Sequence, residues 1–388
     1  MRVCVVTTGE LFGGAERQNL TLMKALHGLG VCCELVVFFD AELANRARSL
    51  GFPVTVLTRR HALDRYCARQ LERLLLERAP VAVSLHGYVG ALHLATGRWR
   101  GPVVKTEHGF VESAFVPLRQ RIKPRVYRAA ENWAARRLRA HVVYVTQDLR
   151  SRCQREHAAL VGHVIFNGIE PIDASGLPRP PEYDPGRMNL AIVGRIEPVK
   201  GVDLAIRALT SVRMPANAQL HVIGTGPIQP ALEKLAVDLR VRDRVTFHGF
   251  RANSYDYIAH AEALLMPSRH EGLPYTALEA MALETPLIAS RVGGLAEACR
   301  HESTALLVSP ENPEELAAAI EKLHADHALG WRLRESARHD VQTRFSADTM
   351  ARRYLEVLSE AGFDTTENTG TTKNAGSPAM GTRCSRGG

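Results

Sequence analysis

Two glutamates, Glu271 and Glu279, flank a turn that is rich in glycine and proline and leads into a predicted helix. The free N–H groups at the start of a helix and the positive end of its dipole attract a phosphate. Carboxylates beside such a turn can accept hydrogen bonds from the hydroxyls of a sugar or a ribose. The turn therefore predicts a binding site for a ligand that carries both phosphates and hydroxyls, as a nucleotide sugar does.

Three further motifs follow predicted strands. Gly13 and Gly14 precede a helix, and glycines at that position let a phosphate or a sugar come close to the backbone. Arg195 can bind a phosphate through two parallel hydrogen bonds, and Lys200 supplies a second positive charge. His108 follows a strand of the first half of the chain and precedes a glycine, which favours a role in the same site.

Each motif also has a purely structural explanation. Two glycines before a helix are common turn residues, surface cations are commonly solvated, and a single histidine is commonly a packing residue. Glu107 either orients His108 or forms an ion pair elsewhere. The functional interpretation rests on the position of all these motifs at predicted strand ends.

The predicted strands and helices indicate how the motifs meet. Short apolar runs alternate with helical patterns, which is typical of parallel sheets with crossover helices. The predicted strands are Val3–Thr7, Leu35–Phe39, Val54–Leu57, Val81–Leu85, Val103–Thr106 and Val142–Val145 in one sheet, and Asn189–Val193, Gln219–Ile223, Val245–Phe247, Ala263–Met266, Leu287–Ser290 and Ala305–Val308 in another. Because open α/β sheets bind ligands at the carboxyl ends of their strands, we expect a cleft between two doubly wound domains.

Composition and pattern divide the chain into five segments. We expect one domain at residues 1–169, a linker dense in proline and glycine at 170–188, and a second domain at 189–343. Residues 344–361 predict a final helix that packs back on the first domain. Residues 362–388 lack the apolar side chains that would bury them, which predicts a disordered tail.

The overall composition is that of a globular protein with two cores, with 388 residues of which 45% are hydrophobic and 23% charged. No apolar run approaches the roughly 20 residues that cross a bilayer, and the first residues predict a strand rather than a signal peptide. We therefore expect a cytoplasmic protein. The 7 cysteines are scattered without a C-x-x-C pair, which predicts reduced thiols rather than a cysteine zinc site or a disulfide framework.

The net charge of +8 is concentrated in one segment between Pro117 and His141. Apolar residues recur there at helical spacing, which predicts an amphipathic helix or helix pair, interrupted at Pro124. Its basic face is either solvated or in contact with an anionic membrane surface on the inner side of the membrane, at about 1 kcal/mol per basic residue. No nucleic-acid recognition motif accompanies it. The basic residues are Arg119, Arg121, Lys123, Arg125, Arg128, Arg136, Arg137 and Arg139.

Taken together and in order, the motifs resemble those of glycosyltransferase family 4, also described as glycosyl transferases group 1. The resemblance runs from Met1 to about Leu358 and also includes Asn167-Gly168, Gly224-Thr-Gly226 and Phe247-His-Gly249. It implies a GT-B fold, in which two tandem Rossmann-like domains enclose a cleft. The first domain would face the acceptor, and the second would bind the nucleotide sugar.

The resemblance also implies a role for each motif. Glu279 would hold the ribose hydroxyls, and Glu271 would bind hydroxyls of the donor sugar. Arg195 and Lys200 would neutralise the departing diphosphate, and His108 would lie beside the donor sugar near the reacting carbon. The implied catalytic residues are therefore His108, Arg195, Lys200 and Glu271.

The implied nucleotide-sugar site is larger than this catalytic group. Many members of the family carry glycine where Pro274 stands, and a proline has no N–H to donate. We therefore expect the N–H groups of Tyr275 and Thr276 to contact the diphosphate. The full implied set is Gly13, Gly14, Arg195, Lys200, Gly226, Phe250, Glu271, Gly272, Leu273, Tyr275, Thr276 and Glu279.

The expected activity is transfer of a sugar, with retention of configuration, from a UDP- or GDP-sugar to a glycan or lipid-linked acceptor. The Glu-Gly-Leu-Pro variant of the turn is most similar to that of enzymes that build bacterial cell-surface polysaccharides. A diphosphate leaving group needs either a metal ion or fixed cations and a helix dipole. Because the sequence has Arg195 and Lys200 but no Asp-x-Asp loop, we expect a reaction without a metal or other cofactor.

Three alternatives stay open at this point. A GT-B epimerase or hydrolase acting on a nucleotide sugar would share the architecture and need its own acid and base carboxylates. A dinucleotide-dependent oxidoreductase would need a third glycine, which the sequence after Gly224-Thr-Gly226 lacks. A non-catalytic binding protein could keep the fold, but it would not need all of the charged motif residues.

Overall fold

The computed structural model describes residues 2–10, 12–61, 64–109, 122–153 and 159–362. The strands of the first domain are β1 (Arg2–Thr7), β2 (Cys32–Val37), β3 (Val54–Val56), β4 (Ala82–His86), β5 (Val103–Glu107), β6 (His141–Tyr144) and β7 (Gly162–Val164). Its helices are α1 (Gly14–Gly28), α2 (Glu42–Ser49), α3 (Arg65–Arg78), α4 (Tyr88–Ala95), α5 (Ile122–Arg137) and α6 (Gln147–Cys153). The strands form one parallel sheet in the order β3-β2-β1-β4-β5-β6-β7.

The second domain repeats this plan with a six-stranded sheet. Its strands are β8 (Met188–Val193), β9 (Ala218–Ile223), β10 (Val245–Gly249), β11 (Ala263–Met266), β12 (Leu287–Ser290) and β13 (Leu306–Val308). Its helices are α7 (Val202–Ala208), α8 (Gln229–Asp238), α9 (Ser254–Ala259), α10 (Tyr275–Ala282), α11 (Gly293–Ala298), α12 (Pro313–Ala325) and α13 (His327–Thr343). The strand order is β10-β9-β8-β11-β12-β13.

The strand order changes direction between β1 and β4 in the first sheet and between β8 and β11 in the second. Open parallel sheets bind ligands in the crevice beyond the carboxyl ends of the strands at such points. The loops that follow β8 and β11 therefore flank the same crevice. These loops carry Arg195, Lys200 and Glu271. The two parallel sheets confirm the predicted α/β fold with two doubly wound domains.

The last helix, α14 (Ala347–Glu360), returns to the first domain. Met350, Tyr354 and Leu358 are buried in the same hydrophobic cluster as Val5 of β1. The chain enters α14 alongside the end of the first domain, since Ile169 N–H donates to Phe345 O over 2.8 Å. The first domain thus contains the two ends of the described chain.

Two details differ from the sequence prediction. Strand β7 was not predicted, because it is short and none of its three residues is fully buried. The predicted interruption at Pro124 is wrong, because α5 begins at Ile122 and continues through the proline. Pro124 lies in the first turn of α5, where its missing N–H costs no helical hydrogen bond.

Two other predictions lie partly outside the described residues. Arg119 and Arg121 of the basic segment, and residues 363–388 of the predicted tail, are not among them. In the described part of the chain, no helix combines the length and apolar character needed to span a bilayer.

Candidate active site

A cavity of about 480 Å³ lies between the carboxyl ends of the two sheets and is lined by both domains. It contains most of the residues that the sequence predicted to act together. From the first domain these are Gly13, Gly14 and His108, and from the second Arg195, Lys200, Phe250, Glu271, Gly272, Leu273, Tyr275, Thr276 and Glu279.

Lys200 and Glu271 form an ion pair in this cavity, with 2.7 Å between Nζ and Oε1. Lys200 ends a short turn after β8, and Glu271 lies in the turn after β11, so the two neighbouring loops bring them together. Ser268 Oγ also donates to Glu271 Oε1 over 2.8 Å. The side chains are 27% and 9% exposed, so the pair is shielded yet open to the cavity. Such an arrangement offers a positioned cation beside a carboxylate that can accept further hydrogen bonds.

Arg195 occupies a different environment from Lys200. Its guanidinium lies 2.8 Å from Glu197 Oε1 and its side chain is 69% exposed. A salt bridge this exposed contributes little energy, so little holds Arg195 in this orientation. Arg195 is therefore a cation at the rim of the cavity, whereas Lys200 is fixed inside it.

Glu279 is bound by a residue that sequence reasoning missed. Its side chain is 3% exposed on α10 and pairs with Arg17 of α1, so the contact joins the two domains. Arg17 also donates to Tyr255 Oη. Arg17 lies one helical turn after Gly13 and Gly14. This position could have identified it from the sequence, because residues three or four apart share a helix face.

The N-terminus of α10 faces the cavity with Pro274 as its N-cap residue. Tyr275 and Thr276 are the first two helical residues, and their N–H groups have no carbonyl one turn earlier in the helix. The preceding carbonyl of Leu273 accepts a hydrogen bond from Asn167 Nδ2 of the first domain over 2.7 Å. The turn is thereby attached to the opposite domain.

Gly272 lets the two walls of the cavity come into contact. A side chain there would begin 2.9 Å from the carbonyl oxygen of His108, which is closer than real Cβ atoms approach. The glycine between Glu271 and Leu273 therefore has a packing reason, independent of any ligand.

His108 belongs to a short chain of hydrogen bonds in the first domain. Its Nε2 lies 3.0 Å from His86 Nδ1, and His86 Nε2 lies 3.0 Å from Ser84 Oγ. Burial is the main reason that the pKa of His108 is lowered to about 4, and burial also lowers the pKa of His86. Both imidazoles are neutral at pH 7. His86, which was not predicted, ends β4 at the same sheet edge as His108, so the strand-end argument could have included it.

Glu107 forms an ion pair next to this chain. It contacts the ammonium of Lys105, whose Nζ lies 2.9 Å from Glu131 Oε1 of α5. Lys105 is fully buried and its pKa is raised by the two carboxylates, against the effect of burial. Of the two explanations offered for Glu107, the structure shows the ion pair.

Gly13 and Gly14 open α1 at the cavity wall, with Gly13 as the N-cap residue. The N–H of Gly13 donates to Glu16 Oε2 over 3.1 Å, so Glu16 caps the helix from within its first turn. Burial raises the pKa of Glu16. The N–H of Gly14, at the first helical position, is therefore better placed than that of Gly13 to meet a ligand.

Two predicted residues stand apart from the rest of the set. Gly226 is not among the residues that line the cavity, and a Cβ there would lie 2.0 Å from the carbonyl oxygen of Ile196. Gly226 therefore packs the loop after β9 against the loop after β8. Phe250 does line the cavity, but its side chain is 77% exposed and projects at the rim.

Two parallel α/β domains that face each other across a cleft of cations, carboxylates and helix N-termini define a GT-B protein. Comparison with known proteins agrees with this class. Residues 12–172 match the profile of "Glycosyltransferase Family 4", and residues 187–326 match that of "Glycosyl transferases group 1". The chain belongs to this family of glycosyltransferases.

Individual relatives cover different shares of the chain. The lipopolysaccharide core biosynthesis glycosyltransferase LpsD of Rhizobium meliloti is 36% identical over 43% of this chain and 48% of its own length. The chain thus spans about half the length of such curated relatives. The D-inositol 3-phosphate glycosyltransferase of Streptomyces bingchenggensis is 30% identical over 71% of this chain and 65% of its own length.

The fold also has solved counterparts. Anabaena HepE, whose structure was determined in complex with UDP, superposes with a TM-score of 0.79 over 93% of this chain and 100% of its own. The sequence identity is 20%, so this likeness concerns the fold.

Proposed function

We propose that this protein is a metal-independent, retaining glycosyltransferase that moves a sugar from a UDP- or GDP-sugar to a glycan or lipid-linked acceptor. The observation that carries the proposal is the meeting of the Lys200–Glu271 ion pair, Glu279 and the N-terminus of α10 in one interdomain cavity. A nucleotide sugar carries a diphosphate, which the Lys200 ammonium and the N-terminus of α10 can bind. It also carries hydroxyls on its ribose and on its sugar, which the carboxylates of Glu279 and Glu271 can bind.

The departing nucleotide diphosphate would be stabilised by fixed charges. The Lys200 ammonium and the N–H groups of Tyr275 and Thr276 face the same cavity. Donors held in place before the reaction stabilise charge that develops on a leaving group, and each is worth about 10²- to 10³-fold in rate. Arg195 at the rim would turn toward the diphosphate when it is bound. These groups can supply the role that a metal plays in other transferases.

Glu271 would bind hydroxyls of the donor sugar rather than attack its anomeric carbon. One of its carboxylate oxygens already accepts from both Lys200 and Ser268. Hydrogen bonds to a carboxylate lower its nucleophilicity but leave its other oxygen able to accept from a hydroxyl. The acceptor would then attack from the side on which the diphosphate leaves, and the configuration at the sugar would be retained.

The first domain would orient the donor sugar and receive the acceptor. His108 is neutral at pH 7, so it can donate or accept a hydrogen bond from a sugar hydroxyl without adding charge. Its other nitrogen is available for this contact, because Nε2 is engaged by His86.

The donor and acceptor classes are supported by the relatives. HepE binds UDP and UDP-glucose in solved structures, and LpsD is named for lipopolysaccharide core biosynthesis. These names favour a role in bacterial cell-surface polysaccharide synthesis. A membrane-bound acceptor would also explain the surface of α5, where Val126 and Trp133 are 59% and 52% exposed near basic residues. We propose that this face contacts anionic lipid from the cytoplasmic side.

A donor screen tests the activity directly. Purified protein with EDTA present would be given UDP- and GDP-sugars, with and without membrane lipid extract, and release of the nucleotide diphosphate would be measured. We expect release that depends on one donor and is stimulated by the acceptor extract. A strict requirement for an added metal would contradict the mechanism, and release unaffected by any acceptor would favour a hydrolase. The anomeric configuration of the product, read by NMR coupling constants, tests retention.

A further inference from the structure

The described residues include three histidine pairs that join neighbouring strands, each with Nδ1 of one ring facing Nε2 of the other. The distances are 3.0 Å for His86–His108, 2.9 Å for His221–His248 and 3.2 Å for His141–His163. In the first two pairs the chain of contacts continues from the opposite nitrogen of a ring, His86 to Ser84 and His221 to Asn189. Those pairs are hydrogen-bond chains.

The third pair has a different geometry, because its contacts converge on one point. Nε2 of His163 faces Nδ1 of His141 and also lies 3.7 Å from Oε2 of Glu360. One ligand atom from each of the three residues lies within 4.8 Å of the other two. An imidazole nitrogen directs one proton or one lone pair, so it cannot serve both neighbours with good hydrogen bonds. A cation between the three atoms would satisfy all of them.

The spacing fits a small transition-metal ion. Zinc–nitrogen bonds of 2.0–2.1 Å in a tetrahedron place neighbouring ligand atoms about 3.3 Å apart. The 3.2 Å between the two nitrogens is close to this value, and the 3.7 Å to Glu360 needs only a small movement of an exposed side chain. Two imidazoles and one carboxylate are a ligand set that zinc accepts, with water as the fourth ligand.

The charges around the cluster are mixed. Arg150 lies close enough to act electrostatically on His163, and its positive charge would repel a cation at this site. Glu360 opposes this effect as the nearest carboxylate. The affinity of this site for a metal should therefore depend strongly on the negative charge of Glu360.

We propose that His141, His163 and Glu360 form a binding site for a divalent transition metal of the zinc class. The site is remote from the cleft. His141 is the first residue of β6, at the sheet edge opposite the carboxyl ends, and Glu360 is the last residue of α14. A metal there ties the end of the final helix to β6 and β7, and its function is to stabilise the first domain rather than to take part in transfer.

The test compares zinc binding by the full chain, purified without a polyhistidine tag, with that of three variants. His163→Gln and Glu360→Gln each remove one ligand, and His324→Gln, which replaces an exposed histidine on α12, is the matched control. Each protein is stripped with EDTA, desalted and titrated with Zn²⁺ against a coloured chelator. We expect wild type and His324→Gln to bind one Zn²⁺ more than His163→Gln, and Glu360→Gln to bind it at least 10-fold more weakly.

Stability and spectroscopy provide independent readouts. Saturating Zn²⁺ should raise the melting temperature of wild type by about 3 °C or more and leave that of His163→Gln unchanged. Co²⁺ should show the intense visible absorption of a tetrahedral site without a thiolate charge-transfer band, which excludes the cysteines as ligands. Equal Zn²⁺ binding and equal melting shifts in wild type and Glu360→Gln would overturn the proposal, because Glu360 is exposed and its replacement does not threaten folding.

This experiment is separable from the test of the proposed function. With the metal acting only in stability, EDTA lowers the melting temperature but leaves nucleotide release unchanged at a temperature where the protein stays folded. If EDTA stopped release in both wild type and His163→Gln, the metal-independent mechanism would fail while the zinc-binding comparison would still decide the site.

Discussion

The two walls of the cleft differ in their charge. The second-domain wall carries the fixed Lys200–Glu271 pair and the buried carboxylate of Glu279. The described part of the first-domain wall carries the neutral His108, the glycine-rich start of α1, and Arg17, which reaches across to Glu279.

This difference leads to a prediction about how the two domains divide the work. A diphosphate and a ribose are the same in every reaction cycle, so fixed charges and a rigid turn suit them. A wall whose one charged side chain named above, Arg17, is already bound to Glu279 suits a sugar and an acceptor, whose hydroxyls need direction rather than charge. The comparison predicts that changes to the second wall affect the rate or donor binding strongly, and that changes to the first wall have smaller effects.

Removal of the fixed cation should have the largest effect. Lys200→Ala removes the cation and leaves Glu271 without its ion-pair partner, so we expect nucleotide release to fall by about 100-fold or more with the fold retained. Glu271→Ala should also abolish transfer. The control is Arg207→Ala, which removes an exposed cation from α7 in the same domain. Full activity in both Lys200→Ala and Glu271→Ala, with circular dichroism spectra like that of wild type, would refute the site assignment.

Glu279→Gln should act on binding more than on rate. The change weakens acceptance of ribose hydroxyls and the contact with Arg17, so we expect KM for the donor to rise about 10-fold while kcat changes less. Glu335→Gln, an exposed glutamate on α13, is the control. A fall in kcat with KM unchanged would mean that Glu279 acts in the transition state and would remove the distinction between the two carboxylates.

On the first wall, His108→Gln should reduce kcat/KM by about 10-fold, which is less than the loss in Lys200→Ala. His86 is a positioning residue, so His86→Gln should reduce kcat/KM by only about 3-fold. Loss of His86 also loosens the packing that keeps the pKa of His108 near 4, so the acid limb of the pH–rate profile should move to higher pH. An unchanged profile in His86→Gln would show that the chain of hydrogen bonds does not control His108.

The last prediction concerns stability rather than activity, and the effect should be shared by both domains. The pKa is lowered to about 4 for His108 in the first domain and for His221 in the second, mainly by burial. An unfolded histidine has a pKa of about 6.5, so below that pH the unfolded chain binds more protons. This contribution to stability is full above about pH 6.5 and is lost as the pH falls toward 4, by about 2 kcal/mol per histidine at pH 5.

Urea unfolding of wild type, His108→Gln and His221→Gln at pH 7 and pH 5 checks this expectation. The urea midpoint of wild type should be lower at pH 5 than at pH 7, and the decrease should be smaller in each variant. If only one variant responded, the two domains would differ in how firmly they bury their histidines, and a midpoint that did not move in wild type would contradict the burial argument.

Much of the fold could be predicted from local patterns in the sequence. The alternation of apolar runs and helical periods predicted the two sheets, because parallel strands covered on both faces are continuously apolar. Strand β7 was missed because its residues are only half-buried and do not form such an apolar run. The proline rule failed at Pro124 because position within a helix decides its cost, and the helix start was not visible in the sequence.

The candidate site could be predicted only in part. Strand-end positions and glycine turns identified half of the residues that line the cavity, because topology places all strand ends at one edge. Arg17 and His86 were missed, since neither has a motif of its own. The roles assigned to the site residues remain predictions for the variants above.

The sequence by itself determined the fold class, the family and the set of loops that meet in the cleft, because these follow from periodicity and from motif order along the chain. Only the tertiary structure decided which side chains pair: Lys200 with Glu271, Arg17 with Glu279, and His86 with His108. Such pairs join residues that are distant in sequence, and their charges and protonation depend on burial. Pairing and burial exist only once the two sheets and the final helix have packed together.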